Sequence, residues 1–224
     1  MTANSATDKN ESALRRSLLA GARRMVESGL NRGTSGNLGI RSGDGFLITP
    51  SGVPVDRMKP ETMVKMDFSG KAIDSGTPSS EWRFHRDIFF SRPEVGAVVH
   101  THSMFATTLA CMQRDVPPFH YMIAAAGGDS IRCAPYALFG SQELSDFAMQ
   151  SLENRKACLL SHHGMIALWR DLDDALALAE EVEALCEQYW RVLQLGEARL
   201  LSPEQMHEAL ERFKGYGQWG SHTE

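Results

Sequence analysis

The sequence predicts a single α/β domain in which a mixed or antiparallel central sheet is flanked by helices. Two observations predict it. Short apolar stretches of strand type are interleaved along the whole chain with segments of 3.6-residue periodicity, and no linker, repeat or low-complexity run divides them. At 224 residues and 42% hydrophobic content, the chain is long enough to bury a core without disulfide or metal staples.

From Ser12, the apolar residues Leu14, Leu18, Leu19, Ala22, Met25, Val26 and Leu30 recur at helical spacing, with Gly29 and Gly33 as stops. Asn37 to Arg41 and Gly45 to Thr49 read as a strand pair around Ser42-Gly43-Asp44, a hairpin signal. Met63 to Phe68 is a third strand. Ser79 or Ser80 is the expected cap of a helix running through Trp82, Phe84, Ile88 and Phe89 to Pro93. Gly96 to His102 reads as a buried strand, Ser103 to Met112 as a helix, Ile131 to Ala134 as a strand and Ser141 to Asn154 as a helix. Ala157 to Ser161 and Met165 to Trp169 form a strand pair around His162-His163-Gly164, and a long amphipathic helix follows from Asp171 to about Arg199. Ser202-Pro203-Glu204 opens a last helix with an N-cap serine and an N1 proline.

Composition excludes several classes of function. With 23 Lys and Arg against 28 Asp and Glu, the net charge of −5 argues against a basic nucleic-acid surface. Cys111, Cys133, Cys158 and Cys186 show no CxxC spacing, so reduced core thiols are expected. Val95 to Gln113 runs 19 residues without a charge, long enough to raise a membrane span. It carries His100, His102, three threonines, a serine and a glutamine, so it reads as a buried segment of a soluble protein. Residues 1–11 are polar and lack the hydrophobic region of a signal peptide, which makes the cytoplasm the expected compartment. The expected organisation is a polar tail over 1–11, a domain over 12–213 and a C-terminal tail over 214–224.

The histidines carry the chemistry. Strand side chains alternate, so His100 and His102 point to one face, close enough to share an ion. Such a pair on its own also suits two hydrogen-bonded core or surface histidines. His163, on a turn before Gly164, raises the metal reading, and three imidazoles with an open position describe a catalytic rather than a structural site. Glu81 is the candidate carboxylate, although its place in the first turn of a helix is equally compatible with simple capping. That helix start with Ser79 and Ser80, together with the turns Ser35-Gly36-Asn37 and Thr49-Pro50-Ser51-Gly52, could form a nest of donors for an anion. His85 lies one turn beyond Glu81, where packing or surface exposure is its first reading.

Taken in order, Ser35-Gly36-Asn37, Thr49-Pro50-Ser51-Gly52, Ser79-Ser80-Glu81-Trp82, Val98-Val99-His100-Thr101-His102, His120 to Gly128, Cys133-Ala134-Pro135-Tyr136, Phe139-Gly140 and His162-His163-Gly164 resemble the class II aldolase/adducin superfamily, and within it the L-fuculose-1-phosphate aldolases. The similarity spans about Leu14 to Tyr216. The resemblance implies the fold of that family and assigns His100, His102 and His163 as zinc ligands, with Mn2+, Fe2+ or Co2+ as other possible metals. It implies Glu81 as acid/base and as a metal ligand when no substrate is bound, while His162 is not carried over as a ligand. It gives Gly36, Asn37, Thr49, Gly52, Ser79 and Ser80 as the phosphate pocket. Tyr121 resembles a tyrosine that reaches the active site of the adjacent subunit in a homotetramer, and Tyr216 is the candidate for one that the C-terminal tail brings over the site.

The reaction so implied cleaves a deoxyketose 1-phosphate between carbons 3 and 4, giving dihydroxyacetone phosphate and a small aldehyde such as L-lactaldehyde. Five of the six lysines, Lys59, Lys65, Lys71, Lys156 and Lys214, fall in polar stretches, which fits an enzyme without a Schiff-base lysine. The negative charge of the enediolate then needs a Lewis acid. Gly39 departs from the family, standing where a serine often follows Ser-Gly-Asn by two residues. The segment Ser103-Met104-Phe105 lies near the aldehyde-end pocket of related enzymes, so 5-deoxyribulose 1-phosphate and 5-methylthioribulose 1-phosphate are alternative substrates. A pentulose-5-phosphate 4-epimerase, a methylthioribulose-1-phosphate dehydratase and a non-catalytic adducin-like assembly module are the weaker alternatives.

Overall fold

The computed structural model describes residues 3–214. Seven strands, β1 (Asn37–Ser42), β2 (Gly45–Ile48), β3 (Val64–Asp67), β4 (Ala97–Thr101), β5 (Arg132–Ala134), β6 (Ala157–Leu160) and β7 (Gly164–Trp169), form one sheet in the order β3-β2-β1-β4-β7-β6-β5. All neighbours are antiparallel except β5 and β6, so the sheet is mixed, as the sequence led us to expect. Among the described residues six α-helices flank it: α1 (Ala3–Glu27), α2 (Trp82–Ser91), α3 (Met104–Ala110), α4 (Gln142–Ser151), α5 (Leu172–Leu195) and α6 (Pro203–Lys214).

The sheet separates two cores. On one face Leu18 and Met25 of α1, Leu109 of α3, Leu176, Val182 and Leu185 of α5 and Met206 of α6 pack with Leu38 and Val99. On the other face Phe84 and Ile88 of α2 and Leu144 and Ala148 of α4 pack with Phe46, Val98 and Ile166. Strands buried on both faces read as continuous apolar runs, which is why Val98-Val99 shows no alternation.

Element ends differ where local periodicity carries little information. The segment expected as a tail over 1–11 is helical from Ala3. Its anchor is not apolar spacing but charge: Glu11 pairs with Arg15 at 2.8 Å and with Lys65 on β3 at 2.5 Å. Helix α5 stops at Leu195 rather than near Arg199, because Gly196 follows. Neither Ser79 nor Ser80 caps α2; the N-cap position is Glu81, whose side chain makes no capping bond. Ser202 does cap α6, its hydroxyl accepting from the Gln205 amide at 3.2 Å while Gln205 Oε1 accepts from the Ser202 amide at 2.8 Å. Among the described residues no helix is long and apolar enough to cross a membrane, and the uncharged Val95 to Gln113 run contains β4 and α3. Tyr216 and most of the expected C-terminal tail lie outside the described residues.

Candidate active site

Central strand β4 delivers the site. His100 pairs with Asn37 on β1 and with Ile166 on β7, which fixes its position between two antiparallel neighbours. The ring is fully buried (0% exposed), and its Nδ1 lies 2.9 Å from the Met165 carbonyl. That carbonyl can only accept, so Nδ1 carries the proton and Nε2 is left with a free lone pair, the arrangement of a metal-binding imidazole. The strand ends at Thr101, and His102 turns back so that the two Nε2 atoms stand 3.0 Å apart.

His163 enters from the turn between β6 and β7. The following residue must be glycine, because a Cβ at Gly164 would overlap the Thr101 carbonyl oxygen. This close approach of β7 to the end of β4 brings the His163 ring centroid within 4.9 Å of His100 and 4.7 Å of His102. His162 takes a left-handed backbone (φ 54°) and sends its ring away to Gln113, with Nε2 2.8 Å from the amide nitrogen.

Glu81 closes the group from the opposite side. Its Oε2 lies 3.0 Å from His100 Nε2 and its Oε1 3.0 Å from His163 Nε2, and all four ligand atoms fall within 4.8 Å of one another. Oε1 is buried without an aligned hydrogen-bond partner among the described residues. Two facing imidazole nitrogens can share one proton at most, so a buried carboxylate and three converging lone pairs fit a divalent cation and little else. Burial by itself would raise the Glu81 carboxyl, but the attraction of His100 and then His163 outweighs it and holds the group well below the usual carboxylate range. Burial first, and then the like charges of His100 and His163, push His102 down to about 3 against the opposing pull of Glu81. Both groups are therefore deprotonated at neutral pH, as metal binding requires.

Asn37, the first residue of β1, donates from Nδ2 to Glu81 Oε2 at 2.9 Å and meets His85 Nε2 through Oδ1 at 2.5 Å. His85 is pushed down to about 3, by burial and then by His100, against Glu81.

A cavity of about 160 Å3 opens beside this cluster. It is lined by Glu81, His102 and His163 together with Gly36, Asn37, Gly52, Ser79, Ser80 and Phe139. Gly36 is required in its place by both backbone and space. Its φ is +77°, and a Cβ would meet the His100 carbonyl oxygen at 2.8 Å. Five of the six residues expected in the phosphate pocket therefore share one surface with the metal group. Thr49 does not line it; its hydroxyl accepts from the Leu38 amide at 3.1 Å and stands behind, in a separate recess. Tyr121 is also elsewhere, in a 3-10 turn (Tyr121–Ala126), and is 54% exposed. Thr34, Ser35 and Ser51 line the cavity as well, and only the small polar character of their turns signals it.

A larger groove of about 700 Å3 lies at the other end of the sheet, between α1 and the start of α5. Two of its three arginines are already engaged, Arg24 with Glu180 and Arg41 with the carbonyls of Phe89, Arg92 and Val95. It contains no cluster of ligating groups.

Residues 16–190 match the class II aldolase and adducin N-terminal domain family. The 5-methylthioribulose-1-phosphate/5-deoxyribulose-1-phosphate aldolase of Rhodospirillum rubrum is 54% identical over 205 residues, covering 92% of this chain and 93% of the relative. The L-fuculose phosphate aldolase of Escherichia coli K12 is 48% identical over 194 residues, covering 86% and 90%. A solved L-fuculose 1-phosphate aldolase superposes with a TM-score of 0.86 at 36% identity, covering 89% of this chain and 95% of that one.

Proposed function

Because the chain belongs to the class II aldolase and adducin family, we propose that it is a metal-dependent aldehyde-lyase that cleaves a deoxyketose 1-phosphate reversibly into dihydroxyacetone phosphate and a small aldehyde. The observation that carries this reading is the shared surface: Glu81, His102 and His163 line the same cavity as Gly36, Asn37, Gly52, Ser79 and Ser80. A sugar phosphate can then span from anion donors to metal within one cavity.

His100, His102 and His163 would hold the ion, with Glu81 as a fourth group before substrate enters. Zinc is the first choice for three imidazoles and a carboxylate, and Mn2+, Fe2+ or Co2+ would also suit the donors. When bound, the ion supplies Lewis-acid stabilisation of the negative charge that develops on the dihydroxyacetone phosphate half. Glu81 moves the proton on the enediolate carbon, delivering it in the cleavage direction and removing it in the reverse condensation. Backbone N–H groups around Gly36 and Gly52, the Ser79 and Ser80 hydroxyls and the Asn37 amide hold the phosphate, with Thr49 supporting Leu38 behind them. The net charge of −5 is no obstacle, because these local donors replace a basic surface.

Tyr121 would serve the oxygen on carbon 4 in the site of an adjacent subunit of a homotetramer. Its exposure, and that of Tyr136, Leu138 and Phe139, supports an interface with a second copy, since exposed aromatic and apolar side chains favour burial; of these Phe139 lines the cavity. Tyr216 is proposed to reach the site from the tail over 214–224. Cys111, Cys133, Cys158 and Cys186 are all free thiols, which supports the cytoplasm as the place of action.

Two substrate readings stand side by side. L-fuculose 1-phosphate would yield L-lactaldehyde, in keeping with the 48% identical relative. A 5-deoxyribulose or 5-methylthioribulose 1-phosphate is supported by the 54% identical relative. It is supported also by a recess of about 190 Å3 beside His102, lined by Gly29, Arg32, Thr107 and Thr108 as well as Met104 and Cys111, the last two offering apolar contact for a methyl or methylthio group. Such pockets discriminate by only about 1–3 kcal/mol per methylene, so activity on both is compatible with one site. A panel of 1-phosphoketoses differing only beyond carbon 4, read by dihydroxyacetone phosphate release, ranks them. Release from none of the panel would reject the reading.

A further inference from the structure

We propose that His85 is a positioning residue, whose Nε2–H fixes the Asn37 amide so that its nitrogen, and not its oxygen, meets Glu81. The role rests on the reading of Glu81 as acid/base, and no resemblance of the sequence assigns it.

The argument begins with a buried imidazole. His85 is 0% exposed, stacks on Phe84 with ring centroids 4.8 Å apart, and has the Phe89 ring at 6.4 Å. Its Nδ1 has no hydrogen-bond partner among the described residues. A polar ring held in an apolar shell with one hydrogen bond unmade is unfavourable unless the bond it does make matters. That bond is the 2.5 Å contact to Asn37 Oδ1.

An asparagine amide has two nearly isosteric ends, and the contacts at each end decide its orientation. If the amide were reversed, Oδ1 would face Glu81 Oε2 at 2.9 Å, acceptor against anion, while the NH2 group would face His85. The orientation with Nδ2 on the carboxylate needs a donor on Oδ1, and His85 Nε2 is the atom in place. The proton is thus assigned to Nε2, leaving Nδ1 bare. Gly39 makes the arrangement possible: a Cβ there would stand 2.6 Å from Nδ1 and 3.1 Å from Phe89. The glycine that departs from the family pattern is the residue against which this ring rests.

The result is a directed chain, His85 Nε2–H to Asn37 Oδ1 and Asn37 Nδ2–H to Glu81 Oε2, that anchors one carboxylate oxygen. The other oxygen, Oε1, 3.0 Å from His163 Nε2, has no such anchor and is the one left to carry the proton.

The test pairs kinetics with a readout that needs neither metal nor substrate. In protein labelled with [15N]histidine, the His85 imidazole is expected as a neutral Nε2–H tautomer with unprotonated Nδ1; the opposite tautomer would overturn the proposal. His85→Phe keeps the flat ring and removes the donor. Its kcat is expected to fall about 10–100-fold, by more than KM rises, with metal content unchanged, and His85→Gln, which restores an N–H donor, is expected to recover most of the loss. In an Asn37→Ala background His85→Phe is expected to remove nothing further, whereas multiplicative losses would reduce His85 to packing. If the wild type releases no dihydroxyacetone phosphate, the reaction assignment fails, while the tautomer still decides the hydrogen-bond chain.

Discussion

Glu183 offers a quantitative test of how the histidine strand is held. This half-buried carboxylate in the middle of α5 accepts from the Ser103 hydroxyl at 2.6 Å, the Phe105 amide at 2.8 Å and the Ala106 amide at 2.9 Å. It therefore ties down the start of α3 immediately after His102, at the end where a helix favours negative charge. The three hydrogen bonds to this charged group contribute about 1.5–3 kcal/mol each, and water entering the space left by the side chain recovers part of that, so Glu183→Ala should destabilise the protein by about 3–5 kcal/mol. For a domain of this size that corresponds to a Tm lower by about 6–20 °C. Glu183→Gln keeps an acceptor and should lose about a third as much. Thermal unfolding of the three proteins at one concentration, after chelation, gives the comparison. Since His102 precedes the tethered segment, metal retention against a chelator should fall in the same order. A Tm change below about 2 °C for Glu183→Ala, or equal effects of Ala and Gln, would refute the reasoning.

Acidification of the metal-free protein should destabilise it with a defined sign. His85 and His102 are both held near about 3 in the fold against an ordinary value of 6.5, by burial first and then by like charge. Below about pH 6.5 the unfolded chain takes up protons that the native state refuses. This stability is complete above pH 6.5 and is lost as pH falls toward 3, with a slope of about 1–2 kcal/mol per pH unit near pH 5, because His85 is buried while solvent screens the exposed His102. Urea midpoints that stay flat between pH 7 and pH 5 would contradict it. Tyr121→Phe and Glu81→Gln should each lower turnover by about 10²-fold or more. Co-expressed, the two variants should regain activity, because a hybrid assembly contains sites with an intact Glu81 from one copy and an intact Tyr121 from another; no recovery would separate Tyr121 from its neighbour's site. Gly36→Ala should lose metal and activity together, since its Cβ would press on the His100 carbonyl at 2.8 Å; full metal content would contradict that.

Much of this architecture is legible in the sequence for physical reasons. A His-Thr-His on an apolar strand, a histidine before a turn glycine and a carboxylate at a helix start are local signals, and pairing of β1, β4 and β7 only had to bring them together. What local pattern misses are long-range polar contacts. The helical start of α1 depends on Glu11 reaching Lys65, the Thr49 hydroxyl is taken by Leu38, and Glu183 is joined to Ser103 across 80 residues of chain. His85 read as packing because its partner Asn37 is 48 residues away and reaches it only through the register of β1 beside β4. Periodicity records burial; it does not record which buried polar atom faces which.

The central claim is a carbon–carbon cleavage that depends on the His100, His102, His163 and Glu81 cluster. The most direct measurement is a mass-resolved product assay of the purified protein on L-fuculose 1-phosphate, before chelation, after chelation and after a divalent metal is restored. Cleavage to dihydroxyacetone phosphate and a three-carbon aldehyde, lost on chelation and regained with one metal per subunit, is the expected result. A product that keeps all six carbons, or cleavage indifferent to the chelator, would contradict it.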